Sequence, residues 1–453
     1  MRLELGNFPV KDVIFGSETA WKDGVLELDR DELLAPVLAE PSVEDAKLEI
    51  AKPGESARII NHFEITEPRV KVSGPGTVYP GRAGRSVDTV GQGRTHRMGG
   101  ATLVVAYDGG YDRWGSNAPA GYLTSPKAPK WFETHDKVKL TREDRRQEWS
   151  NHHFIDMSGP GAVLPFASTI NICLSLALTD GLDIQNKASV CHAVGMKLQD
   201  TLADTVRDLN PPEMEIFDLS VQDPSLPGMV FVWLIGSPEG THGPQSIDGT
   251  GVYGHTRLSA PWLLWPTEVM DGAIAGGGRG HGSWVMTNNP IVMGLSRRHG
   301  KSLNFLSCII LREPWFSEEE MVFVGNRAAE AAKQLGAKGA IVTNETRGLQ
   351  FVSSARTIQA IERAGVKTVW VSEEEDNEGG TVPPFLYHPA EMEAVVSTGT
   401  GAAGPFPRVE RVLGSVREAI PEWYGEQPSV PGRYGVEHVL DHYGFGKQHS
   451  LDY

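Results

Sequence analysis

From Ser317 to Ser372 the chain alternates helical and strand-like runs in an order that few architectures satisfy. A helical stretch opens at Ser317, with Glu320 three residues on, and closes at Gly336. Serine followed by glutamate at that spacing is a capping box, and a glycine after the last turn is a helix stop. Gly339–Thr343 then reads as a strand, Ser353–Ala364 as a helix ending at Gly365, and Val366–Ser372 and Ala394–Ser397 as strands. Strand, helix, strand in this order predicts right-handed parallel crossovers with helices covering the sheet. Ligand loops are then expected at the strand C-terminal ends, at Asn344-Glu345, Glu373–Glu375 and Thr398–Gly401.

Upstream, the near-continuous apolar run Thr169–Leu178 suits a strand buried on both faces. Asp183 is placed to cap a helix reaching about Leu209, with Val190, Val194, Leu198, Leu202 and Val206 at helical spacing. Glu215–Leu219 and Met229–Ile235 read as strands. Residues 1–106 are β-rich: Val10–Phe15, Gly24–Leu28, Ala57–Ile60, Arg69–Val72 and Thr102–Val105 alternate between turn signals, with helical propensity only near Arg30–Leu38. The segment 107–153 carries Trp114, Trp131 and Trp149 among charged residues and reads as an insertion or lid over the core. The fold class is α/β, a β-rich N-terminal part followed by α/β layers with a parallel-sheet C-terminal third. The divisions are 1–106, the insertion 107–153, a central α/β region 154–310, a C-terminal α/β unit 311–419 and an extension 420–453 that wraps a neighbour or the body.

The formal net charge of −16 argues against a nucleic-acid partner, which needs clustered cations. Arg142, Arg145 and Arg146 are interleaved with Glu143, Asp144 and Glu148, as on a solvated helix face. No dinucleotide or P-loop fingerprint is completed. No apolar run of about 18 residues occurs and the N-terminus lacks a signal-peptide core, so a cytoplasmic protein without membrane partner is expected. The three cysteines, Cys173, Cys191 and Cys308, all lie in apolar runs and read as buried inert thiols.

Several stretches have an unusual residue order. They are the opening Met1–Gly16, Lys52–Ile60, Glu67–Gly76, Val87–His96, Ile155–Ala162, Tyr253–His255, Pro266–Ala273, Asn288–Val292, Arg297–Leu306, Ala364–Val369 and Ala394–Gly399. Together they resemble the component B α/β precursor family of glycine, sarcosine and betaine reductases, which is related to the proline reductase precursor. The resemblance implies a subunit that cleaves a C–N or C–S bond of a small amino-acid-derived substrate. A γ-like partner subunit would bear the thiol or selenol, within an oligomeric assembly. It also implies an internal cysteine that becomes a pyruvoyl group after backbone cleavage, at a position equivalent to Gly276–Ser283. Here that stretch, inside the glycine-dense segment from Asp271 to Asn288, holds no cysteine, so the expectation is a scaffold without pyruvoyl.

The side chains suggest other chemistry. His242, His255 and His281 are flanked by glycines or small residues that allow close approach to a ligand. Neutral imidazoles bind divalent transition metals, and Asp271 and Glu345 would complete such a set. The same histidines with Asp271 are the candidate acid–base groups. The bland alternative is histidines that hydrogen-bond loops at an interface. Substrate contacts are assigned to Arg347, as a bidentate carboxylate clamp, and to Glu345, His96 and Asp156. Three readings follow: a component B-like reductase subunit, a metal-dependent lyase or hydrolase on the same scaffold, and a non-catalytic substrate-binding subunit.

Overall fold

The computed structural model describes residues 1–73, 90–108, 154–162, 164–182, 184–235, 251–253, 261–275, 282–314, 317–344, 350–372, 387–398, 406–417, 424–426 and 443–445. The first half runs β1 (Arg2–Asn7), β2 (Asp12–Phe15), β3 (Ala20–Lys22), β4 (Val25–Leu28), α1 (Arg30–Leu38), β5 (Val43–Ala51), β6 (Ala57–Ile60), β7 (His62–Thr66) and β8 (Arg69–Lys71). It continues through β9 (Gly93–Arg97), β10 (Ala101–Tyr107), β11 (Phe154–Asp156), β12 (Ile170–Leu178), α2 (Ile184–Asp204) and β13 (Glu213–Asp218).

Strands on either side of segment 107–153 share sheets, in the orders β13-β1-β9-β8 and β5-β12-β10-β7. The sequence line at 106 therefore separates stretches of chain but not sheets. The reason is visible in β12: eight of its nine residues are buried, so it needs a neighbour on each edge and cover on each face. β10 supplies one edge in parallel and β5 the other in antiparallel register. Helix α2 covers the sheet through Cys191, Val194, Leu198 and Leu202, which join Ile172, Leu174 and Leu176 of β12 in one cluster. At the front, α1 forms because the Asp29 carboxylate accepts the N–H groups of Asp31 and Glu32.

The second half runs β14 (Gly228–Ile235), β15 (Gly251–Val252), β16 (Trp262–Leu264), α3 (Pro266–Met270), β17 (Ile274–Ala275), α4 (Ser283–Thr287), α5 (Pro290–Arg298), β18 (Asn304–Arg312) and α6 (Glu318–Gln334). The remainder is β19 (Gly339–Asn344), α7 (Gln350–Arg363), β20 (Lys367–Ser372), β21 (Val395–Ser397) and β22 (Arg411–Leu413). Six strands form the order β16-β18-β14-β19-β20-β21, parallel except for β16 at the edge. Alternate residues of β14 serve opposite faces. Val230, Val232 and Leu234 pack with Ala328 and Ala332 of α6 and Ile358 of α7. Phe231, Trp233 and Ile235 pack with Val285 and Met286 of α4 and Val292 of α5. This is the three-layer arrangement the strand–helix–strand pattern predicts.

Half of the expected capping box is present. Ser317 Oγ accepts the Glu320 N–H at 3.1 Å, but the Glu320 carboxylate pairs with Arg312 at the end of β18. The C-terminal extension docks on the body where it is described: Trp233 Nε1 donates to the Tyr443 hydroxyl at 2.9 Å, and Phe445 stacks near Trp284. No helix among the described residues is long and apolar enough to cross a membrane.

Candidate active site

At the flanks of the glycine-dense segment lies a cluster of buried charges drawn from distant parts of the chain. Arg69 and Lys71 project from the short strand β8, and both are at least nine-tenths buried. Ions taken out of water at this depth persist only when paired and hydrogen-bonded. Asp271, at the end of α3, answers Lys71: one carboxylate oxygen accepts Lys71 Nζ at 2.6 Å and the Gly91 N–H at 2.8 Å, the other the Thr95 hydroxyl at 2.5 Å. Gly91 is required here. Its φ is +82°, and a Cβ would stand 2.9 Å from the Glu268 Cα.

Arg69 holds both ends of the glycine-dense segment with one guanidinium. Nε donates to Glu67 at 2.8 Å, Nη1 to the Met270 carbonyl at 2.5 Å, and Nη2 to Asn288 Oδ1 at 2.6 Å. A second anchor sits at the segment's exit, where Glu64 of β7 accepts the Ser283 N–H at 2.8 Å and faces His192 of α2 at 3.1 Å. Gly282 lies so close to β7 that a Cβ would meet the Ile65 carbonyl at 2.5 Å. The planar fork of arginine and the multiple acceptors of a carboxylate suit this fastening of a loop between fixed points.

Of the residues singled out in the sequence, Asp271 belongs to this cluster. His96 does not: it lies on the opposite face of β9 from Thr95, buried against Phe8, with Nδ1 2.8 Å from the Val206 carbonyl. Burial holds its imidazole below the usual range, against the bond to Val206. Asp156 is also elsewhere, in a fully buried bidentate pair with Arg58 at 2.7 and 3.0 Å. Burial raises the Asp156 carboxyl above its ordinary range and Arg58 opposes the rise. His242, His255, His281, Glu345 and Arg347 lie outside the described residues.

The strands that lead into those segments are nonetheless adjacent. β14 and β19 end side by side, with Leu234 opposite Asn344, so residues 236–250 and 345–349 follow neighbouring strand ends. β15 pairs with β17, with Gly251 opposite Ala275, which sets the flanks of segments 236–250 and 276–281 together. Among the described residues, no group of three or more His, Cys, Asp or Glu side chains is arranged to hold a metal ion. Cys173, Cys191 and Cys308 are all fully buried. Desolvation pushes the Cys173 thiol up to about 12 and raises Cys191 and Cys308 as well.

Sequence reasoning missed Glu64, Glu67, Arg69, Lys71, Thr95, His192 and Asn288 as functional candidates. Lys71 and Asp271 are 200 positions apart, and nothing local announces that they meet. A signal existed in the unusual stretches themselves, because Glu67–Gly76, Val87–His96, Pro266–Ala273 and Asn288–Val292 supply the partners of both buried cations.

The family described as glycine/sarcosine/betaine reductase component B subunits matches residues 1–430. The glycine reductase complex component B subunits alpha and beta of Acetoanaerobium sticklandii are 30% identical over 435 residues, 93% of this chain and 90% of that one. The protein of the same description from Peptoclostridium acidaminophilum is 31% identical, covering 92% of this chain and 90% of its own. The betaine reductase complex component B subunit alpha of that organism is 30% identical, covering 88% and 84%. No solved structure matches the chain. With a family match spanning residues 1–430 and relatives at 30% identity over about nine-tenths of its length, this chain belongs to the glycine/sarcosine/betaine reductase component B family and is a reductase subunit of that type.

Proposed function

We propose that the chain is the substrate-binding subunit of a reductase complex that cleaves a C–N or C–S bond in a small amino-acid-derived substrate. A separate subunit supplies the attacking thiol or selenol, and no pyruvoyl group takes part. The observation that carries this reading is the state of the three cysteines. Each is buried in a strand or helix, with its thiol pushed toward the neutral, unreactive form. A cysteine-derived pyruvoyl group does not fit this chain, because Cys308, the cysteine nearest in sequence to the glycine-dense segment, is paired inside β18 rather than placed at a loop. A nucleophilic sulfur must then come from outside. The relatives are described as components of reductase complexes, which supports a partner of this kind.

The substrate is assigned to the glycine-dense segment because Arg69, Asp271 and Glu64 fix its flanks while its glycines leave room for close approach. Arg347, Glu345 and the histidines at 242, 255 and 281, which lie outside the described residues, are the candidate ligand and metal groups. Intact mass of the purified chain under denaturing conditions tests the central point. A single species at the full mass is expected, and two fragments meeting near residue 280 would refute it. Metal analysis of the same sample decides whether a divalent transition metal accompanies the histidines.

A further inference from the structure

Glu64 does more than anchor the Ser283 N–H. Glu64 is fully buried in the middle of β7. Its Oε1 accepts the Ser283 N–H at 2.8 Å, and its Oε2 lies 3.1 Å from Nδ1 of His192. An ionised carboxylate only accepts, so this contact calls for the ring proton on Nδ1. The lone pair of the neutral ring then sits on Nε2. His192 is 28% exposed, and Nε2 makes no hydrogen bond among the described residues.

A histidine used for structure looks different in the same molecule. Both nitrogens of His299 are engaged, Nδ1 accepting the Phe305 N–H at 3.0 Å and Nε2 facing the Val221 carbonyl at 2.8 Å. His192 instead has one nitrogen fixed by a buried acid and the other without a hydrogen bond among the described residues, on a partly exposed side chain. That arrangement orients a proton-transfer imidazole. A second polar group beside it is also unspent: Ser283 Oγ is buried and has no hydrogen-bond partner.

We propose that His192 is the proton-transfer residue of this site and that Glu64 is its positioning residue. Glu64 fixes the tautomer of His192 and ties it to the exit of the glycine-dense segment. The proposal rests on the reductase reading above. Nε2 takes the proton of the partner's thiol, and the sulfur forms a bond to the substrate carbon. The bond from that carbon to an ammonium nitrogen breaks with its electron pair on nitrogen, which leaves as the neutral amine, or a C–S bond breaks with sulfur leaving as the thiolate, and the imidazolium returns its proton to water. Glu64 stabilises the imidazolium while it exists.

Two measurements on the full-length chain test this. With histidines labelled by nitrogen-15 and the signal assigned by its loss in His192→Gln, His192 is expected to carry its proton on Nδ1. Glu64→Gln should abolish that preference. A ring protonated on Nε2 in the unmodified chain overturns the proposal. In the complex reconstituted with a thiol partner, His192→Gln is expected to lose about 10²–10⁴-fold in kcat with KM nearly unchanged. Free imidazole should restore part of the activity of His192→Ala. A selenol partner, already ionised at neutral pH, should bypass the loss. Unchanged kcat with the thiol partner, or equal losses with both partners, would also overturn it. If the unmodified chain turns over no amine or thioether substrate with either partner, the reductase reading fails, and the tautomer alone decides the Glu64–His192 pair.

Discussion

The two halves of the molecule fill their interiors by different means. In the parallel sheet, β14 sends aliphatic residues to one helical layer and Phe231, Trp233 and Ile235 to the other. Around β6, β7 and β8 the interior instead receives Arg58, Glu64, Glu67, Arg69 and Lys71, with Asp156 and Asp271 arriving from later strands and helices. Apolar burial is non-directional, so shape and volume decide it, and a sheet built that way tolerates many substitutions. Buried ions are directional and depend on specific partners, so removing one strands the other. The β-rich half thus gives up tolerance and gains fixed polar geometry.

The sharpest way to break this contrast is Arg58→Met. It leaves Asp156 unpaired and removes donors to the Pro407 and Gly425 carbonyls. A loss of about 3–5 kcal/mol in denaturant-derived stability is expected, partly recovered when Asp156→Leu is added. A loss under about 1 kcal/mol would place the pair with ordinary surface bridges and erase the difference between the halves.

The next effect separates burial from charge. The Cys173 thiol is pushed up to about 12, first by desolvation, with the Ser175 hydroxyl working against it. In the alkaline range between an ordinary thiol and that value, the unfolded chain has lost the proton and the folded chain still holds it. The folded state binds more protons there, so stability falls as pH rises through this window and the thiol contributes no pH dependence below it. Cys173→Ala should show a shallower alkaline decline, by up to about 1.4 kcal/mol per pH unit. Equal slopes in urea titrations of the two proteins would show that the thiol is not buried as described.

The smallest expected effect belongs to the apolar half. Ser317→Ala removes the cap that accepts the Glu320 N–H and should cost about 1 kcal/mol, read as a small drop in Tm. A drop as large as that of Arg58→Met would mean that the two halves do not differ in how they respond to the loss of one polar group.

Much of the fold was legible in sequence. Helix α1 falls at Arg30–Leu38 as expected, β6 at Ala57–Ile60, and the parallel order of β19, β20 and β21 follows the predicted crossovers. The buried state of all three cysteines was also legible, because each sits in an apolar run. Of the candidate residues that are described, Asp271 lies in the buried-charge cluster, and His96 and Asp156 do not. His96 and Asp156 look like ligands beside glycine-rich turns, yet one faces the Val206 carbonyl and the other is held by Arg58.

Periodicity, caps and the glycine stops are local properties, set by residues within a turn or two of one another. The sequence by itself therefore determined where strands and helices form and which faces are apolar. The pairing of Lys71 with Asp271, of Arg69 with Met270 and Asn288, and of Glu64 with Ser283 and His192 was decided only by the tertiary structure. The physical reason is that the role of a charge depends on what stands within a few ångströms and on how much water remains there. Neither quantity is written in its neighbours along the chain.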